Sequence, residues 1–117
     1  MQSLNKNREF QEILKKKKLR NEYFTIYFGK KIEELNKKNK KLNISFVMKK
    51  KVGNSVKRNK IKRKLKSAVQ KILNGNNEVC LDYRYIVFGK SNIYKEKFST
   101  IFNQVDNAFK KIKNSIR

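Results

Sequence analysis

From Lys49 to Lys66 the chain reads KKKVGNSVKRNKIKRKLK, and neither Asp nor Glu occurs between Lys49 and Asn77. Lys57, Arg58, Lys60, Lys62, Arg63, Lys64 and Lys66 crowd onto what the pattern predicts to be a single helix. With Ile61 at the centre of the buried side, Arg58, Lys62 and Lys66 line one shoulder. Lys57, Lys60 and Lys64 line the opposite shoulder, while Asn59 and Arg63 face outward. A helix serving only solubility would interleave Glu with Lys, because like charges at i, i+4 destabilise it by roughly 0.2–0.5 kcal/mol per pair. Unrelieved positive charge on a rigid helix makes sense when phosphates lie against it. A Lys-rich composition alone could give a solvated face, so the pattern carries more weight than the total charge.

Other chemistries lack their residues. The chain has no His, the commonest general base, and its 9 carboxylates are scattered among 117 residues. The lone Cys80 cannot close an internal disulfide, and no cysteine cluster has zinc-ligand spacing. Cys80 therefore reads as a small buried apolar residue, and no metal or cofactor is expected on the protein. With 32 Lys+Arg the net charge is +23 and the pI about 10.3, which calls for a polyanionic partner. No apolar run reaches the roughly 20 residues of a spanning helix, and no secretory signal is visible. The expectation is a cytoplasmic nucleic-acid binder with no membrane contact.

These residues need elements to position them. Phe10, Ile13 and Leu14 give a helical stripe within a short helix from Asn5 to Lys17, capped by Asn5 or Asn7. Glu22 to Phe28 reads as a strand with Phe24, Ile26 and Phe28 on one face and Tyr23, Thr25 and Tyr27 on the other. A charged connector, GKKIEELNKKNKK, precedes a second strand at Leu42–Met48. Gly53-Asn54 marks a turn, and Asn54 or Ser55 can cap the basic helix, Ser55–Leu73, on a stripe of Ile61, Leu65, Ala68, Val69 and Ile72. NGNN closes it, and Asp82–Phe88 forms a third strand. The last helix, about Lys95 to Ile116, carries Phe98, Ile101, Phe102, Val105, Phe109, Ile112 and Ile116. Phe98, Phe102 and Phe109 are assigned to the core. The fold expected is α+β: a single-domain αββαβα sandwich over residues 1–117, with a central sheet packed by helices.

The run from Lys49, with Arg58, Asn59, Lys62 and Arg63 after a KK-V-GN-x-V turn, resembles the ribonuclease P protein family. Its hallmark is an Arg-Asn-x-x-Lys-Arg-x-x-Arg helix behind Ser-Lys-Lys-Val-Gly-Asn-Ala-Val. LNKNREFQEILKK is similar to the family's opening helix, so the resemblance covers most of the chain. Four positions depart from the pattern: Lys66 and Lys60 stand where Arg is usual, Lys49 replaces Ser, and Ser45 replaces a Gly. Lys keeps the charge but loses Arg's bidentate fork, so binding should be more salt-sensitive.

The resemblance implies a mixed sheet with a left-handed βαβ crossover, against the usual right-handed rule. It implies a protein subunit of a ribonucleoprotein endoribonuclease that removes the 5′ leader from precursor tRNA. Hydrolysis would be performed by the RNA subunit with its own Mg2+, and the protein would carry no catalytic residue. The partners implied are one catalytic RNA per protein and precursor tRNA, without an obligate protein partner. Carried over residue by residue, RNA binding would fall to Lys50, Lys51, Asn54, Lys57, Arg58, Asn59, Lys60, Lys62, Arg63 and Lys66. A cleft for the single-stranded leader would be formed by Phe10, Leu14, Tyr27 and Lys49. Two other classes compete: a ribosomal protein or generic basic RNA binder, which needs no second cleft, and an architectural DNA binder, whose arms and wedges are not visible.

Overall fold

A computed structural model describes residues 7–30, 42–75 and 79–116; residues 31–41 of the charged connector and the proposed caps Asn5 and Asn7 lie outside the described residues or side chains. Helix α1 spans Asn7–Leu14, followed by strands β1 (Lys17–Arg20), β2 (Phe24–Lys30) and β3 (Asn43–Val47). Helix α2 (Ser55–Asn74), strand β4 (Tyr83–Gly89) and helix α3 (Phe98–Ser115) complete the order. The sheet runs β1-β2-β4-β3, antiparallel except for the β3–β4 pair. Parallel neighbours require a crossover, and α2 provides it.

The strand β1 was not expected from the sequence, where the first helix runs to Lys17 and no element is assigned from there to Glu22. It forms because Asn21 builds a tight turn: its Oδ1 accepts from the N–H groups of Tyr23 and Phe24, and its own N–H donates to the Phe24 carbonyl. That turn lays Leu19 opposite Ile26, and α1 consequently stops at Leu14 instead of reaching Lys17. The same turn moves the first expected strand two residues along and takes Tyr23 out of the alternation. Tyr23 precedes β2 and turns into the core.

Register and burial sort the sheet into two faces. Phe24, Ile26 and Phe28 on β2, Ile44 on β3, and Tyr85 and Val87 on β4 join the α2 and α3 stripes in one hydrophobic cluster. All five expected α2 positions are buried, with Ile61, Leu65 and Ala68 fully inside. Burying each Ile or Leu stabilises by about 1.5–3 kcal/mol, more than enough to hold a helix whose outer surface repels itself. The opposite face carries Thr25, Tyr27 and Gly29 from β2 and Arg84, Ile86 and Phe88 from β4. Helix α1 packs on this side against β2 and β4. Gly29 makes that approach possible: a Cβ there would sit 2.9 Å from Lys16 Cγ and 3.1 Å from Ile13 Cδ1.

On α3 the expected stripe holds for Ile101, Val105, Phe109 and Ile112, with Ala108 added. Phe98 and Phe102 depart from it. Phe98 is 37% exposed at the first turn of the helix, and Phe102 is half-buried at the edge of the cluster. The helix starts at Phe98, three residues later than expected, and this first aromatic stays outside the core cluster, beside Phe102 and Lys71. Cys80 is half-buried rather than buried, and its carbonyl accepts the Tyr85 hydroxyl at 2.6 Å.

Glu96 ties three elements together just before α3. Its Oε2 accepts from the Tyr23 hydroxyl at 2.8 Å, its Oε1 from the Lys97 N–H at 3.0 Å, and its carbonyl from Lys64 Nζ at 2.6 Å. The Tyr23 hydroxyl, helped by the Lys97 N–H, holds the Glu96 carboxyl below the ordinary carboxylate range. The same bond raises the Tyr23 phenol. A lowered carboxyl stabilises the fold above its unfolded pKa, and that contribution fades as pH falls through the folded value. For Tyr23 the sign reverses: the contribution is present below the ordinary phenol value and fades as pH rises through the raised one. Glu96→Gln is therefore expected to melt with a shallower acid dependence than the parent when Tm is followed by circular dichroism from neutral to acid pH. Parallel curves would show that this carboxylate does not sense folding.

Candidate nucleic-acid interface

The basic helix is presented by a sharp entry turn. Lys50–Val52 form a short 3-10 turn that buries Val52 in the core, and Gly53 follows at φ 155°. A Cβ on Gly53 would lie 2.6 Å from Lys57 Cδ, so a side chain there collides with the helix it introduces. Asn54 then caps α2, its Oδ1 accepting from the Lys57 N–H at 2.9 Å. Asn54 thus uses its carbonyl on the helix and can offer RNA only its amide N–H groups.

The two shoulders of α2 face different neighbours. Arg58 and Lys62, with Asn59 and Ser55, open onto a groove of about 280 Å³ floored by Phe46 and Met48 at the end of β3. Arg58 Nη2 lies 3.4 Å from Ser55 Oγ, and its Nε is shielded without a hydrogen-bond partner among the described residues. Lys60, Lys62, Arg63 and Lys66 are exposed. The other shoulder is turned toward the turn before α3. Lys64 Nζ donates to the carbonyls of Ile93, Tyr94 and Glu96 at 3.0, 3.2 and 2.6 Å, which makes it a structural cation. Lys57 and Lys60 place their ammonium groups 5.4 and 5.6 Å from the Tyr94 ring centroid.

A second groove, of about 400 Å³, lies on the α1 side of the sheet, between Thr25, Lys49, Lys51, Phe88, Lys90 and Ser91. Tyr27 and Phe88, diagonal across the β2–β4 pair, meet edge to face with centroids 5.6 Å apart. Lys18 Nζ lies 5.8 Å from the Tyr27 ring and Lys49 Nζ 5.6 Å from the Phe88 ring. Aromatic faces flanked by ammonium groups are what unstacked bases and their phosphates require. Of the sequence-expected cleft residues, Tyr27 and Lys49 belong to this aromatic–cation cluster. Phe10 and Leu14 stand half-buried on α1, and they, like Tyr27, lie outside the groove's lining residues; Tyr27 adjoins the groove only through its contact with Phe88. Lys50 and Lys51, both exposed, occupy the ridge joining this groove to α2.

Phe88 and Lys18 were missed in the sequence. Alternation along β4 does set Phe88 apart from Tyr85 and Val87, but only the antiparallel register with β2 puts it beside Tyr27. Lys18 reaches Tyr27 only because β1 exists and pairs the two residues directly. Among the described residues no group of His, Cys, Asp and Glu is arranged to hold a metal ion, and no helix is long and apolar enough to cross a membrane.

The sequence matches the family model described as Ribonuclease P over residues 1–113. It is 30% identical over 116 residues to the ribonuclease P protein component of Mesomycoplasma hyopneumoniae (strain 7448), covering 98% of this chain and 96% of that protein. It is 31% identical over 114 residues to the corresponding protein of Carboxydothermus hydrogenoformans, with 97% and 92% covered. The fold superposes on the RNase P protein of Staphylococcus aureus with a TM-score of 0.75 at 25% identity, covering 97% of this chain and 96% of that one. For the Thermotoga maritima protein the TM-score is 0.76 at 22% identity, with 95% and 97% covered, a likeness of fold. The α+β architecture with its mixed four-stranded sheet is therefore shared along nearly the whole length, and the chain belongs to the ribonuclease P protein family.

Proposed function

We propose that this chain serves tRNA 5′-end maturation by holding two RNAs at once. The cationic face of α2, with Arg58, Asn59, Lys62, Arg63 and Lys66, neutralises the backbone of the catalytic RNA, one protein to one RNA. Lys57 and Lys60 contribute from the far shoulder, and Lys50, Lys51 and Asn54 from the entry turn. The groove beside Phe88, extended by the adjoining Tyr27 ring, takes the single-stranded 5′ leader of the precursor, with Lys49 at its rim and Phe10 and Leu14 on α1. Hydrolysis falls to the RNA subunit and its Mg2+, since the described residues offer cations and aromatic faces but no group of His, Cys, Asp and Glu arranged to hold a metal ion. The reading places the work in the cytoplasm, where precursor tRNA is made.

The observation that carries this reading is the pairing of two distinct surfaces. A ribosomal protein or generic RNA binder needs only the cationic helix; a groove with lysine-flanked rings on the other sheet face adds a site for unstacked bases. The test is reconstitution with a ribonuclease P RNA and precursor tRNA at low magnesium and moderate salt. Leader cleavage is expected to be faster with the protein than with RNA alone, and the gain should shrink for a precursor whose leader is cut to one nucleotide. No gain for the full-length leader would exclude the reading.

A further inference from the structure

A third cationic–aromatic surface runs along the seam between α2 and α3, on the far side of α2 from the Phe46–Met48 groove and sharing Lys57 and Lys60 with the helix's cationic face. Tyr94, Phe98 and Phe102 project from the turn before α3 and from its first turns, and each ring has a lysine of α2 beside it. Lys57 and Lys60 flank Tyr94. Lys71 Nζ lies 5.9 Å from the Phe98 ring centroid and 4.9 Å from that of Phe102. The two phenyl rings are 6.4 Å apart and inclined by 31°, closer to parallel than to edge-on. From Lys57 to Lys71 the helix advances roughly 20 Å at about 1.5 Å per residue, room for several nucleotides.

Two features distinguish this seam from ordinary helix packing. Phe98 keeps 37% of its surface exposed, although α3 has a well-filled apolar stripe one turn further along. The nearby carboxylate, Glu96, turns its two oxygens to the Tyr23 hydroxyl and the Lys97 N–H rather than to Lys57, Lys60 or Lys71. Aromatic faces half-open to solvent and uncompensated ammonium groups select an anionic polymer with π-faces. A protein partner would bring apolar or acidic groups; single-stranded RNA brings both phosphates and bases.

We infer that the α2–α3 seam, through Tyr94, Phe98, Phe102 and Lys71, binds single-stranded RNA at a site separate from the leader groove. Bases stack on the open ring faces and phosphates lie along Lys60 and Lys71. Lys64 acts there as a positioning residue, since its three carbonyl contacts fix the turn that carries Tyr94.

The test uses the full chain and an oligouridylate carrying 5-iodouridine. Photo-cross-links mapped by mass spectrometry are expected on Tyr94, Phe98 or Phe102 in addition to Phe88 of the groove or the adjoining Tyr27. In parallel, Phe98→Leu combined with Phe102→Leu keeps apolar bulk but removes the stacking faces, and should weaken oligouridylate binding on the order of tenfold. Lys71→Gln should lower the salt dependence of that binding. Cross-links confined to the groove, with affinity unchanged in the double variant, would show that the rings only staple α2 to α3 and would overturn the inference. Weaker binding of the double variant without any seam cross-link in the parent would overturn it as well, as an indirect folding effect. Loss of groove cross-links with seam cross-links retained would instead sink the leader-groove reading and leave this one standing.

Discussion

Alanine at both Arg58 and Arg63 is expected to weaken binding to the catalytic RNA by roughly two to four orders of magnitude and to flatten its salt dependence. Charge-assisted hydrogen bonds contribute about 1.5–3 kcal/mol each, which sets the size of the loss. Each lost phosphate contact should remove about one unit from the slope of log affinity against log salt. Arg58 and Arg63 are suited to separate roles in this. Arg58 lies over the Phe46–Met48 floor, where partial desolvation strengthens what its guanidinium grips, whereas Arg63 points outward and acts mainly through charge. Arg58→Lys should therefore cost more affinity than Arg63→Lys, because only Arg58 loses a desolvated bidentate grip. The measurement is a filter-binding or fluorescence titration across salt concentrations. An unchanged slope in the double variant would return the helix to the status of a solvated surface.

Much of this arrangement was legible in the sequence because its signals are local. The α2 stripe of Ile61, Leu65, Ala68, Val69 and Ile72 comes from helical periodicity alone, and the projection of Arg58 and Lys62 onto one shoulder and Lys57, Lys60 and Lys64 onto the other follows from it. The Asn54 cap and the break at Gly53 are likewise short-range chemistry. What escaped depends on pairing between distant segments. Four residues of β1 have too little apolar content to announce a strand, and only the Asn21 turn and the β2 register create it. The roles of Phe88, Lys18 and Lys64 are set by partners far away in sequence, as is the exposure of Phe98. Lys64 shows the difference most clearly: by residue type it belongs with the RNA-facing cations, yet its ammonium is saturated by backbone carbonyls nearly thirty residues and more away.

Tyr27→Ala is expected to lower affinity for precursor tRNA by about thirty- to hundredfold in the reconstituted holoenzyme while leaving affinity for mature tRNA unchanged. Stacking of one base on an aromatic side chain is worth about 1–3 kcal/mol, and the upper half of that range applies where the ring is already immobilised. Tyr27 meets that condition. Phe88 braces its ring edge to face, Lys18 lies over it, and the strand beneath is anchored on the core side by Ile26 and Phe28. Little conformational freedom is left to lose when a base arrives. Tyr27→Phe should keep most of the affinity, because the π-face and not the hydroxyl does the stacking. The comparison with mature tRNA makes the result specific, since a mere disturbance of the sheet would loosen α2 and weaken both RNAs together. Equal losses for precursor and mature tRNA would therefore remove Tyr27 from the leader site and leave it as packing for Phe88.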